Sequence, residues 1–254
     1  MKNLLILVLI FSCTSKIMGR EIGQTEITAE DGVEVFQDQK YYLLKKNVRI
    51  ESDNFILSGD EIKIYFENDL YDIKILDVKG NADLNSNVHN ITAVGEDLYF
   101  IIDQERIIIN GINSNLITDN IKMLSDEKIQ VDNLNGNFNL IGDNSSIEAQ
   151  NIIVKGRQIS GVFVPGSNTN EISILNVEDK NIAYVKSANT EMYANKIKYN
   201  KETSIIELED NVKIIEGGET VTGDYGTINT NTNSYKIKSK NSKRVRVVIS
   251  NNNE

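Results

Sequence analysis

Two stretches of this chain, about 165 residues apart, repeat one another landmark by landmark. The first runs through Ala29, Asn47-Val48-Arg49-Ile50, Ser58-Gly59-Asp60 and Ile64. The second runs through Ala194, Asn211-Val212-Lys213-Ile214, Thr222-Gly223-Asp224 and Ile228. Every landmark is a strand or turn residue and none is a catalytic side chain, so the repeat is architectural. A looser copy lies between them, Gly80-Asn81-Ala82-Asp83-Leu84 followed by Gly95-Glu96-Asp97-Leu98. The repeated units therefore fall near 29–66, 80–103 and 194–230.

Alternation gives the element type. Val33 and Val35 flank Glu34; Ile62, Ile64 and Phe66 alternate with Lys63 and Tyr65; Leu98, Phe100 and Ile102 share a parity. Period two means strands with one buried face. The pattern returns in Ile197-Lys198-Tyr199, Ile206-Glu207-Leu208, Val212-Lys213-Ile214 and Tyr235-Lys236-Ile237. Asp31-Gly32, Asn110-Gly111, Asn135-Gly136 and Gly217-Gly218 supply residues that accept positive φ, and they read as tight hairpin connections. The lone Pro, Pro165, sits in a turn-like Val-Pro-Gly-Ser-Asn stretch, and no linker interrupts the pattern. The expectation is all-β: one continuous antiparallel meander over 20–250, solenoid-like in its stacked strands. Between about Asn110 and Lys186 the landmark spacing blurs, and extra rungs are expected there.

The composition excludes several function classes. A net charge of −10 argues against a nucleic-acid partner. Local charge differs near the C-terminus, where Lys236, Lys238, Lys240, Lys243, Arg244 and Arg246 form a basic run; the favoured reading is an edge strand guarded by lysines. With His89 as the only histidine, no nucleophile elbow and a single cysteine, no catalytic set is visible. The Gly-Asp pairs at Gly59, Gly95 (Gly-Glu) and Gly223 lack a Gly-rich loop, a P-loop lysine or calcium-loop spacing, so they read as turns or bulges and no cofactor or metal is expected. A glycan-cleaving carboxylate pair stays open as an alternative, although a chain with no Trp and 7% aromatics offers few sugar platforms.

At the N-terminus Lys2 precedes an apolar run from Leu4 to Phe11 and then the small residues Ser12, Cys13, Thr14 and Ser15. This is the shape of a secretory signal peptide over about 1–19, too short to span a bilayer. Cleavage after Ser15 or Gly19 and lipidation at Cys13 are the open alternatives. A cleaved signal on a nearly cysteine-free chain points to the periplasm.

The repeated Ala…Asn-Val-Lys-Ile…Thr-Gly-Asp pattern, clearest over 192–238 and traceable through nearly the whole secreted chain, resembles the OstA-like (LptA) domain family of lipopolysaccharide-transport proteins. The resemblance implies an elongated antiparallel β-jellyroll with an open apolar groove. It also implies lipopolysaccharide (lipid A) as cargo, and end-to-end stacking with OstA-like domains of inner- and outer-membrane components or with further copies of itself. Shielding acyl CH₂ groups at roughly 0.8 kcal/mol each is consistent with such a conduit, and exposed sheet edges suit strand addition. Groove residues on this reading are the inward set Val33, Val35, Val48, Ile50, Ile62, Ile64, Phe66, Leu98, Phe100, Ile197, Tyr199, Val212 and Ile214. Periodicity reports which way such residues face and not what they are buried against. A structural or adhesive β-solenoid and a membrane-anchored relative remain as alternatives.

Overall fold

The computed structural model describes residues 21–68, 72–88, 90–149, 152–165, 170–240 and 244–249. The signal segment with Cys13, and His89, lie outside them. Every element among the described residues is a strand. In chain order they are β1 (Glu26–Thr28), β2 (Val33–Phe36), β3 (Tyr41–Glu51), β4 (Ile56–Phe66), β5 (Ile73–Ser86), β6 (Ile91–Ile101), β7 (Arg106–Asn110), β8 (Ser114–Ile117), β9 (Ile121–Ser125) and β10 (Lys128–Asp132). They continue as β11 (Asn137–Ile141), β12 (Ser146–Ala149), β13 (Ile152–Lys155), β14 (Gln158–Pro165), β15 (Asn170–Ser187), β16 (Thr190–Asn200), β17 (Ile205–Glu216), β18 (Glu219–Asn229), β19 (Ser234–Lys238) and β20 (Arg246–Ile249).

All pairings are antiparallel, and they trace two half-sheets. The first runs β2-β3-β4-β5-β6-β7-β10-β11-β14-β15-β16-β17-β18-β19. The second runs β1-β3-β4-β5-β6-β8-β9-β12-β13-β15-β16-β17-β18-β20. Each long strand thus belongs to both half-sheets, contributing one half of its length to each. The register shifts where it passes from one to the other, between Lys45 and Val48, Ser58 and Glu61, Lys79 and Ala82, Glu178 and Ala183, Tyr193 and Lys196, and Glu209 and Val212. An irregularity of this kind bends a strand and increases its twist. Aligned across neighbouring strands, the irregularities make one fold line along the molecule.

The repeat seen in the sequence is this fold line. Ala29 and Ala194 sit on it, packed against the core or fully buried. Asn47 and Asn211 supply its left-handed residues, with φ of 48° and 56°, each preceded by a second one, Lys46 and Asp210. Their side chains complete matching hydrogen bonds: Asn47 donates to Glu30 and Asn211 to Asn195, each acceptor being the residue after the landmark Ala, each bond 2.6 Å. The acid after the landmark Gly also plays one part in both copies. Asp60 accepts from Asn81 and Asp224 accepts from the Lys240 amide. Because Asn tolerates the left-handed region and Ala does not, Asn47→Ala is expected to cost about 1–2 kcal/mol and Asn47→Gly about 0.5 or less. Urea melts of the two variants measure this; equal losses would mean that the hydrogen bond, not the backbone, sets the cost.

The middle third keeps the same path with a different corner. There the two halves of each rung are separate strands joined by short loops, as in β7 to β8 and β9 to β10. Buried serines close these corners: Ser114 donates to the Gly111 carbonyl at 2.7 Å, Ser145 to Gly142 at 2.9 Å, and Ser125 lies 3.2 Å from Ser145. The sequence pattern blurs here because Gly and Ser loops replace Asn and Gly bulges, while the rungs continue.

Two of the four expected hairpins are placed differently. Asn135-Gly136 and Gly217-Gly218 do join neighbouring strands, β10 to β11 and β17 to β18. Asp31-Gly32 and Asn110-Gly111 instead carry the chain across the fold line, from β1 to β2 and from β7 to β8. The glycines have φ of 99° and 113°, and both kinds of connection need that geometry.

A lengthwise apolar interior as the candidate functional site

Residues directly opposite in an antiparallel pair point to the same face, so register converts into ladders that run from the first rung to the last. Beside the fold line in the first half-sheet the ladder reads Val33, Leu44, Ile62, Val78, Leu98, Ile109, Ile129, Leu140, Ile159, Val177, Ile197, Leu208, Gly226 and Ile237. From Leu44 to Leu208 every member is essentially inaccessible. The second half-sheet answers with Ile27, Ile50, Leu57, Leu84, Ala93, Leu116, Met123, Ile147, Val154, Val185, Met192, Ile214, Val221 and Val247. Both faces contribute to one continuous core cluster. Polar side chains are absent from both ladders.

The apex between the half-sheets is narrow and its residues are correspondingly small. Val48 faces Gly59, Ala82 faces Gly95, Ser114 faces Ser125, Ala183 faces Ala194, and Val212 faces Gly223. A Cβ on Gly59, Gly95 or Gly223 would come within 2.4 Å of a β-branched methyl, from Val78, Ile109 and Ile237 respectively. The three Gly-acid steps are thus close-approach positions on the fold line.

All thirteen inward residues expected from the sequence have the parity of this interior. Ile62, Leu98 and Ile197 lie on the fold-line ladder, Ile50 and Ile214 on the opposing one, and Val48 and Val212 at the apex, all buried. Ile64, Phe100 and Tyr199 lie one step further from the fold line, with Phe100 and Tyr199 partly buried against the core. Phe66 is buried further out still, its ring 5.2 Å from Tyr42. Val33 and Val35 face the interior through Leu44 and Tyr42 but stand 50% and 47% exposed. The physical reason is their place: among the described residues β2 is the last rung and pairs with β3 alone. Val247 is 52% exposed at the opposite end for the same reason. The aliphatic centre of the site, from Ile109 to Val177 and from Leu116 to Val154, was missed by the landmark pattern; the alternation in Ile129-Gln130-Val131 and Phe138-Asn139-Leu140 carried the signal.

The outer faces differ. Lys63 projects on the outer side with its ammonium 5.9 Å from the Tyr41 ring. On the outer face of the second half-sheet, desolvation and the Glu191 carboxylate, which accepts from the hydroxyl at 2.9 Å, push the Tyr193 phenol up to about 12. Among the described residues there is no group of three or more His, Cys, Asp or Glu side chains able to hold a metal ion. The two ends carry opposite charge. Glu26, Glu30, Asp31 and Glu34 are exposed at the β1/β2 end, and Lys236, Lys238, Lys240, Arg244 and Arg246 at the β19/β20 end. Of the basic run, Lys236 and Lys238 lie on β19 and Arg246 on β20, edge strands that pair with β18 alone among the described residues, whereas Lys240 and Arg244 lie between them and Lys243 is outside the described residues.

Fold and interior together define an elongated antiparallel β-jellyroll with a lengthwise apolar interior. Residues 118–234, a little under half of the chain, match the sequence profile of the LptA/(LptD N-terminal domain) LPS transport protein family. The crystal structure of LptH, described as the LptA homologous periplasmic component of the lipopolysaccharide transport device of Pseudomonas aeruginosa, aligns at 11% identity. It covers 89% of this chain and 95% of that one, with a TM-score of 0.25. Comparison with curated proteins returns no significant match.

Proposed function

We propose that this protein is a non-catalytic periplasmic carrier that shields the acyl chains of lipopolysaccharide between its two half-sheets and passes them on to like-folded neighbours at either end. The observation that carries the reading is the pair of apolar ladders. They run uninterrupted by any polar side chain from one terminal rung to the other and finish in interior-facing residues, Val33 at one end and Val247 at the other, that are half exposed. A core built for stability alone has no need to stay open at both ends; a conduit that continues into the next domain does. The likeness of residues 118–234 to the profile of the LptA/(LptD N-terminal domain) family supports the same reading.

The ends suit head-to-tail continuation. Neighbouring strands are antiparallel throughout, and each half-sheet contains an even number of rungs, so β19 of one copy meets β2 of the next antiparallel, as β20 meets β1. Free edge N–H and C=O groups supply the pairing, and an acidic face meets a basic one. Whether the neighbour is a second copy or a membrane-anchored OstA-like domain, the same edges serve.

Acyl entry requires the half-sheets to part, because the interior is packed. Photocrosslinkers at Ile62 and Phe100 are therefore expected to capture lipopolysaccharide from cells, while one at Lys63 on the outer face does not. Equal labelling at all three positions refutes interior carriage. Depletion separates this reading from a structural rod: a carrier leaves lipopolysaccharide accumulating at the inner membrane, and a rod does not.

A further inference from the structure

The third inward ladder, one step further from the fold line in the first half-sheet, differs in kind from the other two. Starting at Val35, it carries aromatic rings at its second, fifth, eighth, eleventh and fourteenth rungs: Tyr42, Phe100, Phe138, Tyr199 and Tyr235. Every third rung has a ring, with no exception along the molecule. Aromatics make up 7% of the chain, so a ladder of this length should hold about one by composition alone. The two other ladders hold none.

Between consecutive rings lie two aliphatic or small rungs: Ile64 and Leu76, Ile107 and Val131, Gly161 and Leu175, Ile206 and Ile228. Position 161 has no room for a side chain: a Cβ there would fall 2.2 Å from the Ile174 carbonyl oxygen and 2.5 Å from the Phe138 ring. At the last ring the reach of the side chain is explicit. The Tyr235 hydroxyl donates to Glu219, which lies in the second half-sheet, at 2.8 Å, so this ring spans the interior from one half-sheet to the other. With strands about 4.8 Å apart, rings recur about every 14 Å.

We infer that the five rings are ribs that divide the interior into four equal bays, so that acyl cargo is held in discrete bays and advances in steps of three rungs. The inference rests on the lipid-carrying reading above. A ring standing across the interior blocks free sliding of a chain, while its face offers contact to chains on either side. Two further buried inward rings, Phe66 and Phe163, pack against the ribs Tyr42 and Phe138 with centroids 5.2 and 4.4 Å apart, and the aliphatic rungs leave room beside them once the half-sheets part. Lateral packing of hydrocarbon chains has about the spacing of β-strands, so a bay two rungs wide fits a small, fixed number of chains.

The test compares rings removed on the period with rings added off it. Phe100→Leu and Tyr199→Leu delete a rib; Ile107→Phe and Ile206→Phe place one inside a bay. Tyr42→Leu, at a less enclosed rung, is the reserve should Phe100→Leu fail to fold, and thermal melts identify such failure. The probe is cis-parinaric acid, a fluorescent C18 polyene fatty acid, whose saturation count and dissociation rate are read by fluorescence. Rib deletion is expected to speed dissociation about threefold or more with the count unchanged. An off-period ring is expected to lower the count by about a quarter, one bay of four, with dissociation from the rest unchanged. If both classes change count and rate alike, the ribs are ordinary core and the inference falls while lipid carriage stands. If the unaltered protein binds no probe, lipid carriage falls and the bays with it.

Discussion

Ile129→Asp is expected to leave the chain unfolded. Ile129 sits in the middle of the fold-line ladder between Ile109 and Leu140, with no exposed surface. The substitution removes a full aliphatic side chain from a packed site and puts a carboxylate where only hydrocarbon surrounds it. The lost side chain alone costs about 2–5 kcal/mol, and an unpaired buried charge adds several more. Domains have about 5–15 kcal/mol in total. The neighbouring Gln130→Asp, facing outward, is expected to change stability by under about 0.5 kcal/mol. Circular dichroism and urea melts of the two variants check the contrast, and a folded Ile129→Asp would mean that the interior is wet. The pH dependence has a definite sign. Burial raises the folded-state pKa of the new carboxyl above its unfolded value near 4, so the deficit is full above the folded pKa. Relative to the unsubstituted protein it shrinks as pH falls toward 4.

The rungs themselves were legible because facing direction has a period of two, and a strand residue cannot change face without slipping register. Hence Ile62, Leu98, Ile197 and Val212 were found from alternation alone. What alternation lacks is the third dimension. Val33 and Val35 have the right parity, yet no sequence pattern announces that β2 is the last rung. Gly32 and Gly111 need positive φ, yet a hairpin and a passage across the fold line make the same demand, so the sequence does not separate them. The middle third looked irregular because its corners are built from serine hydroxyls at Ser114, Ser125 and Ser145, a chemical solution unlike the Asn pairs elsewhere. The ring period was invisible for another reason. Tyr42, Phe100, Phe138, Tyr199 and Tyr235 lie 58, 38, 61 and 36 residues apart in the chain, and they become equally spaced only when the strands are put in order.

Gly95→Val is expected to be the most damaging change on the fold line. Gly95 has no positive φ, so conformational freedom is not why glycine is there. Space is. A Cβ would lie 2.4 Å from the Ile109 Cγ2 methyl, 2.9 Å from the Asn110 carbonyl oxygen and 3.2 Å from the Ser114 hydroxyl. The carbonyl belongs to the backbone of the next strand and yields only if the rung moves. Overpacking of a rigid site costs about 1–3 kcal/mol and sometimes more, and valine's two methyls place this case at about 3 or above. Gly95→Ala should lose less, and pairing it with Ile109→Ala should cost less than the two changes summed, because the second removes one clashing methyl. Asparagine separates space from backbone freedom. Gly217 has φ of 55° and open surroundings, so Gly217→Asn is expected to be nearly neutral, asparagine being at home in the left-handed region. Gly95→Asn fills the apex and is expected to be destabilised almost as strongly as Gly95→Val. Equal losses for asparagine at the two sites in urea melts would overturn the close-approach account. Because Gly59 and Gly223 meet Val78 and Ile237 at the same 2.4 Å, what holds at Gly95 should hold at all three, and the repeat first visible in the sequence is a record of where two half-sheets have no room for a side chain.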